Sequence, residues 1–594
     1  MLLRLLLTLL FFITTAYAAK VPAGAFRDGV KEYLKNGEFS AEFRQVMRSA
    51  ELKYAFRSNV EKLDDDTICF LCDELLDVLL DEIRGGSVTI DELEDVVMQL
   101  CTSLFFEDEE VCHGAISSNI GIIWYIAQAR PDKPASEICG IIGQSYGCAG
   151  TPDDWSVDIP EGTTELNKGV ISGESTLKIL HLTDFHYDPL YEGDSLGNCD
   201  LPVCCTAGTS ASDASDAAGY WGDYRDCDTP MYAIQDALEH IVGQHPDIDY
   251  VYYSGDVIHH RVWNTSIDAN KRDFTLMYDE MYSVFGNTPV YGALGNHEPH
   301  PLNAFAPPEI EDEDLSTQWL YDEAADVWSG WLDSDATNTV RYGGFYTVSP
   351  TPGFRIITLN SNVAYTINWW LLYDDVDPYG QLQWLADTLY EAEQNGEKVH
   401  IISHIPSSDS TMYTVWSREY RRIIERFAGT ISAAFNGHTH RDQLILYHSS
   451  EDTNIPINIA WNGGSITTYS DKNPNYKIYE VDPESYEVVD YEVWTYNITS
   501  ANLTPDQAPS WYKLYSFKEA YGLSGAAPED VRELASNMAA DRSVAEKYFE
   551  YSVRDADTSL QYGCDSSCLK TLLCNLLKSE YSDETQCLLM SAEW

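Results

Sequence analysis

Basic residues are scarce in this chain. Its 594 residues include 37 Lys and Arg against 95 Asp and Glu, a formal net charge of −58. That balance argues against nucleic acid as a partner, because backbone phosphates are held by Lys and Arg. So acidic a surface is also repelled by anionic membranes at neutral pH. The repulsion weakens at about pH 4 to 5, as carboxylates protonate, so an acidic working compartment is expected. Apolar runs of spanning length are missing, and no transmembrane segment is expected. Low-complexity tracts and internal repeats are missing too, and 44% hydrophobic with 22% charged residues is globular composition. The length exceeds what one compact core holds, and roughly two to four domains are expected. Cysteine is absent between Cys227 and Cys564.

What is present begins at the N-terminus. Arg4 precedes an apolar run, Leu5 to Ile13, and Ala16-Tyr17-Ala18 fits a small-x-small cleavage site, so residues 1–18 read as a secretory signal peptide. The 14 cysteines are even in number and tightly clustered. In an oxidising compartment this pattern reads as disulfides throughout. Asn264, Asn497 and Asn502 head glycosylation sequons.

Five regions follow the signal. Residues 19–64 are charged and helix-compatible. Residues 65–150 hold Cys69, Cys72, Cys101, Cys112, Cys139 and Cys148 on amphipathic patterns such as Leu93, Val96, Val97 and Leu100, an all-α module. Residues 151–176, rich in Gly, Pro, Thr, Asp and Glu, read as a linker. Residues 177–500 alternate short apolar strands with longer helical segments, an α/β rhythm. Residues 501–594 turn helical again and carry Cys564, Cys568, Cys574 and Cys587.

The chemistry lies in the α/β region. Five apolar runs each deliver a polar side chain just past their ends. Leu177-Lys-Ile-Leu-His-Leu-Thr leads to Asp184-Phe-His186, and Tyr250-Val-Tyr-Tyr-Ser to Gly255-Asp256. Pro289-Val-Tyr-Gly-Ala-Leu leads to Gly295-Asn296-His297-Glu298, and Lys398-Val-His-Ile-Ile-Ser to His404. Ile431-Ser-Ala-Ala-Phe-Asn leads to Gly437-His438-Thr-His440. In α/β sheets the carboxyl ends of strands are where sites assemble, and the glycines allow tight turns before the ligands. Imidazole, carboxylate and amide oxygen suit a divalent pair. Two ions roughly 3.5–4 Å apart activate water and clamp the oxygens of an in-line displacement at phosphorus, with no protein nucleophile. A rival motif, Gly143-Gln-Ser145-Tyr-Gly147, matches the serine-hydrolase elbow but falls inside the helical cysteine module, without the strand that an elbow needs.

These five elements, in this order, resemble the calcineurin-like metallophosphoesterase superfamily. The resemblance implies an αββα sandwich with the metals at the sheet edge. It assigns Asp184, His186, Asp256 and His440 to one metal, and Asp256, Asn296, His404 and His438 to the other. His297 then stabilises the transition state or protonates the leaving group. Purple acid phosphatases have a Tyr three residues after the bridging Asp, where this chain has His259, and an Asp-x-Gly first motif, where it has His186. The departures favour two Zn²⁺ ions. The six-cysteine module resembles a saposin domain, which implies nested pairs Cys69–Cys148, Cys72–Cys139 and Cys101–Cys112 and an apolar face for peripheral contact with membranes.

Saposin domain, linker, metallophosphoesterase and cysteine-containing helical tail together resemble the acid sphingomyelinase family over residues 65–594. That likeness implies a secreted or lysosomal enzyme hydrolysing the membrane lipid sphingomyelin to ceramide and phosphocholine. It also implies the pairs Cys199–Cys204, Cys205–Cys227, Cys564–Cys568 and Cys574–Cys587. His260 falls where the family has a second active-site histidine, with His259 the alternative by register. The chain departs from mammalian members in lacking the cysteines of one catalytic-domain bridge. Two other readings stand beside this one: a related phosphodiesterase acting on nucleotides, and a catalytically inactive saposin-type lipid binder. Trp369-Trp370-Leu371-Leu372 reads either as a membrane or substrate contact or as core packing.

Overall fold

The computed structural model describes residues 23–37, 39, 65–104, 108–148, 154–162, 175–592 and 594. The expected signal peptide and much of the expected linker lie outside the described residues.

The α/β region forms two six-stranded sheets. In the first, β1 (Leu177–Leu182), β2 (Tyr250–Tyr253) and β3 (Val290–Gly292) run parallel, and β10 (Asn475–Val481), β11 (Val488–Thr495) and β12 (Tyr512–Ser516) extend it antiparallel beyond β1. In the second, β5 (Phe354–Thr358), β6 (Lys398–Ile402), β7 (Ile431–Asn436) and β9 (Pro456–Asn462) run parallel. Antiparallel β4 (Tyr346–Thr351) and β8 (Leu444–His448) close its two edges.

Side-chain alternation sets the layers. On β2, Tyr252 points to the second sheet, where its hydroxyl bonds His400 Nδ1 at 2.8 Å and its ring meets Phe435. Its neighbour Tyr253 points the other way, against Tyr278 of the helix Ile267–Phe285. On β6, His400 faces inward, while Val399 and Ile401 pack with Leu382, Leu385 and Ile423 of the helices Gln381–Asn395 and Thr414–Arg426. Helices thus cover each sheet on its outer side. Strands apolar on both faces are what an α/β sandwich requires.

The segment 501–594, read as helical, also supplies β12, which pairs with β11. Five residues on a sheet edge carry too little periodicity to stand out from helical surroundings. The rest of the segment is helical, with helices at Pro528–Ala540, Arg542–Ser552 and Ser566–Leu577.

Upstream, α1 (Ala23–Asn36) precedes a bundle of α2 (Asp65–Arg84), α3 (Ile90–Leu104), α4 (Glu109–Ala129) and α5 (Ala135–Ile142). Three nested disulfides staple the bundle: Cys69–Cys148, Cys72–Cys139 and Cys101–Cys112. The remaining bridges are Cys199–Cys204, Cys205–Cys227, Cys564–Cys568 and Cys574–Cys587.

The bundle docks on the second sheet's helical layer. Lys133 is buried between Asp375 and Glu137, at 2.8 Å from each, and the Tyr413 hydroxyl donates to the same Asp375. Gln144 bonds Thr414, and the Trp369 indole donates to Asn119 of α4 at 3.1 Å. Trp369, Trp370, Leu371 and Leu372 are all buried in this core, so of their two expected roles core packing is the one observed. Residues 154–162 run along the same helices, where the Val157 N–H donates to Glu419 and Arg418 pairs with Asp154.

Candidate metal centre

Five of the seven expected ligands have positive φ: Asp184, His186, Asp256, His438 and His440, at 43° to 71°. Few non-glycine residues adopt this region, and such strain concentrates at sites that the surrounding structure holds in place. Here neighbouring strand ends do the holding. Asp184 N–H donates to Gly255 O at 2.9 Å, His186 N–H to Asp256 O at 3.1 Å, and Gly437 N–H to His404 O at 2.9 Å. Glycine supplies room for this contact. A Cβ on Gly437 would lie 2.1 Å from Thr183 Oγ1, and one on Gly295 would lie 2.1 Å from Asp256 Oδ1.

The folded strand ends bring all seven side chains together. His186 Nε2 lies 3.0 Å from His440 Nε2, and 3.7 and 3.4 Å from the carboxylates of Asp184 and Asp256. His404 Nε2 lies 3.1 Å from Asp256 Oδ2 and 3.0 Å from Asn296 Oδ1, which His438 Nδ1 also approaches at 3.0 Å. Two groups of ligand-type atoms result, Asp184 with His186 and His440, and Asp256 with His404 and His438.

Outer partners fix which atoms face inward. Nδ1–H of His186 donates to Ile258 O, that of His404 to Ser254 O and that of His440 to Tyr469 O, at 2.7 to 2.8 Å. In the neutral imidazoles, the form that binds a metal, Nε2 then carries the lone pair. The Asn296 amide donates to Asn303 Oδ1 at 2.9 Å, which turns Asn296 Oδ1 toward the imidazoles. Lone pairs about 3 Å apart cannot hydrogen-bond one another, and carboxylates beside them add negative charge. The donor set fits divalent cations, which satisfy such converging acceptors.

Beside this centre stand His297 and His260, whose ring nitrogens come within 4.8 Å of that of His186. His297 Nδ1–H donates to His259 O at 3.0 Å. Between the two register alternatives, His260 joins the histidine cluster, its ring 3.9 Å from that of His186 and stacked at 4.1 Å on Tyr469. The His259 ring accepts the Arg261 N–H at Nδ1, and its carbonyl accepts from His297. Burial pushes His297 down to about 3, with Asp256 pulling the other way. Burial and the neighbouring imidazoles of His186, His297 and His440 hold His260 well below its ordinary value.

The sequence assigns no role to three residues of this neighbourhood. Asp228, fully buried, accepts both the backbone N–H and Nδ1–H of His260 at 2.6 Å, and burial raises its carboxyl to about 7. Asn303 orients Asn296, and Tyr469 supports His440 and His260. None belongs to a strand-end motif; each reaches the site through a folded loop. Asn264 begins the sequence segment before the helix Ile267–Phe285, Asn497 caps the helix Ile498–Asn502, and Asn502 bonds the Trp221–Gly222 backbone. Ser145 sits on a single helical turn after α5, not after a strand, so no nucleophile elbow exists there.

The comparisons agree with this architecture. Residues 177–442 match the family described as calcineurin-like phosphoesterase, and residues 459–594 that of the acid sphingomyelin phosphodiesterase C-terminal region. Sphingomyelin phosphodiesterase of Bos taurus is 34% identical over 504 residues, covering 83% of this chain and 79% of the bovine protein. Sphingomyelin phosphodiesterase 1 of Caenorhabditis elegans is 31% identical over 544 residues, covering 89% of this chain and 94% of the nematode protein. Cyclic GMP-AMP phosphodiesterase SMPDL3A of Homo sapiens is 30% identical over 426 residues, covering 69% of this chain and 89% of the human one. By sequence, fold and the divalent-metal donor set, the chain belongs to the acid sphingomyelinase family of calcineurin-like phosphoesterases.

Proposed function

We propose that this chain is a sphingomyelin phosphodiesterase, hydrolysing sphingomyelin to ceramide and phosphocholine with the aid of two zinc ions. The observation that carries the reading is the set of converging lone pairs at the strand ends, in a chain whose sphingomyelin phosphodiesterase relatives align over 83% and 89% of its length. Asp184, His186, Asp256 and His440 are assigned to one ion, and Asp256, Asn296, His404 and His438 to the other. Asp256 suits the bridging place, because Oδ2 faces both His186 and His404. Bound there, the ion pair supplies polarisation of the phosphoryl oxygens and activation of the attacking water.

His297 and His260 are assigned to proton transfer. Each has Nδ1 committed to a partner, so Nε2 is the atom left to exchange a proton with the ceramide oxygen. Asp228 holds the His260 ring in place, accepting its backbone N–H and its Nδ1–H on separate oxygens. The helical module at 65–150 is assigned as a saposin-type domain with peripheral membrane contact. In support, α4 borders the loop carrying His260: a Cβ on Gly114 would stand 2.0 Å from the Trp263 carbonyl oxygen. Lipid loosened by the module then has a short path to the histidines. Seven disulfides with no free cysteine among the described residues support a secreted or lysosomal setting, and no helix of the described residues is long and apolar enough to cross a membrane.

The likeness to a cyclic-dinucleotide phosphodiesterase favours nucleotides as a second reading. A panel of sphingomyelin liposomes, other phospholipids and ATP, run across pH with and without chelator, separates the two. Chelator-sensitive turnover of sphingomyelin is expected. Turnover of ATP with none of sphingomyelin overturns the lipid reading. His297→Ala is expected to keep its metals and lose roughly 10²–10⁴-fold in kcat.

A further inference from the structure

Cations in this acidic chain are mostly neutralised by carboxylates, as Arg261 is by Asp188, Lys477 by Asp442 and Arg426 by Glu393. Arg441 and Lys472 are different. Both are half-buried beside the proposed metal centre, Arg441 next to His440 in the chain and Lys472 three residues after Tyr469, whose carbonyl holds His440. Among the described residues neither has a carboxylate within 4.0 Å. The Arg441 side chain makes one long contact, NH1 to Ser552 Oγ at 3.4 Å, and Lys472 Nζ donates to Ser470 O at 2.9 Å. Most of their donors remain unspent.

A third cation lies behind them. Arg554 is fully buried and donates to the carbonyls of His440, Asn473 and Ser552 and to Ser465 Oγ, again with no carboxylate. Burial lowers Lys472 to about 7, Arg441 and Arg554 push the same way, and Asp471 and Asp184 oppose them, so the side chain is charged at acid pH. Grouped cations partly withdrawn from water repel one another unless an anion lies among them. Beside a phosphoester site, an arriving anion is the group that fills that place.

We propose that Arg441 and Lys472 form a subsite for a second anionic group of the substrate, a carboxylate or phosphate lying beyond the scissile phosphoester. Esters bearing such a group are then substrates alongside zwitterionic lipid. Water adds to phosphorus, the phosphorus–oxygen ester bond breaks and the proton passes to the leaving oxygen. The proposal rests on the phosphoesterase centre and not on sphingomyelin as its substrate.

The test is competitive inhibition of bis(p-nitrophenyl) phosphate hydrolysis by two phosphomonoesters of similar length, phosphoglycolate with a remote carboxylate and phosphocholine with a remote cation. At acid pH and fixed ionic strength, wild-type enzyme should bind phosphoglycolate roughly tenfold more tightly, the worth of about one charge-assisted hydrogen bond. Arg441→Ala with Lys472→Ala should bring the two inhibitors to parity. The single variants Arg441→Gln and Lys472→Gln should give intermediate ratios, and Arg441→Lys with Lys472→Arg should keep the preference, with thermal unfolding verifying that each variant is folded. Equal inhibition in wild type, or a preference surviving in folded variants lacking these charges, overturns the proposal. Absence of any chelator-sensitive hydrolysis strikes the phosphoesterase reading instead.

Discussion

Gly295→Ala isolates the close approach of strand ends that builds the centre. Gly295 is present for space, not for an unusual backbone angle. A Cβ there would stand 2.1 Å from Asp256 Oδ1 and 2.2 Å from Asp256 N, where ordinary contact begins at 3.4 Å. A side-chain rotation cannot relieve the clash with a backbone nitrogen, so the Asp256 segment must retreat by roughly 1 Å, a displacement of the size that costs about 10²-fold in rate at an active site. The same carboxylate accepts the His297 N–H through Oδ1 at 2.9 Å and faces His186 and His404 through Oδ2, so the proposed bridging ligand and a proposed acid move together. The expected outcome is a loss of about 10²-fold or more in kcat with reduced metal per chain, measured by turnover of sphingomyelin and by elemental analysis of the purified variant. Gly243→Ala is the control. Gly243 lies in the helix Met231–Gln244 with nothing within 4 Å of a built Cβ, and the substitution should stabilise by about 0.5–1 kcal/mol. Wild-type kcat and metal content in Gly295→Ala would refute the argument that contact between β2 and β3 termini sets the ligand geometry.

Asp228→Asn should retain metal and lower kcat by roughly tenfold or more, because an amide has one acceptor oxygen where the two oxygens of Asp228 receive the backbone N–H and the Nδ1–H of His260. Its stability carries a pH signature as well. The folded Asp228 carboxyl, raised to about 7 by burial, keeps its proton where the unfolded chain has released it, so its contribution is full below the ordinary carboxylate range and is lost as pH rises through about 7. The Tm of the variant relative to wild type should therefore increase between acid and mildly alkaline pH, and a pH-independent difference would contradict the assignment. Lys133→Ala leaves Asp375 buried without its cation and should cost about 3–5 kcal/mol in denaturant unfolding, since removing one partner of a buried pair strands the other.

How the site was legible follows from where its residues lie. Asp184, His186, Asp256, Asn296, His404, His438 and His440 each stand within a few residues of a strand end, so apolar periodicity alone marks where each begins. The partners of these residues carry no such mark. Asp228 follows Cys227 on an irregular loop, Asn303 lies seven residues beyond Asn296, and neither announces its contact. The choice between His259 and His260 turned on one residue of register, which a loop sets through its hydrogen bonds and not through composition.

The four apolar residues Trp369 to Leu372 make the same point for surfaces. Their composition serves a membrane anchor and a packed core equally; the docking of α4, with Asn119 on the Trp369 indole, puts them in the core.

The sequence by itself therefore determined the α/β framework, the order of the strand-end residues and the divalent-metal character of the centre, because these are written in local periodicity and residue chemistry. Tertiary structure alone decided which lone pairs face inward, which histidine joins the cluster, where β12 attaches and which cations stand without carboxylates. Those outcomes depend on contacts between segments far apart in the chain, and their energies exist only once the loops have closed.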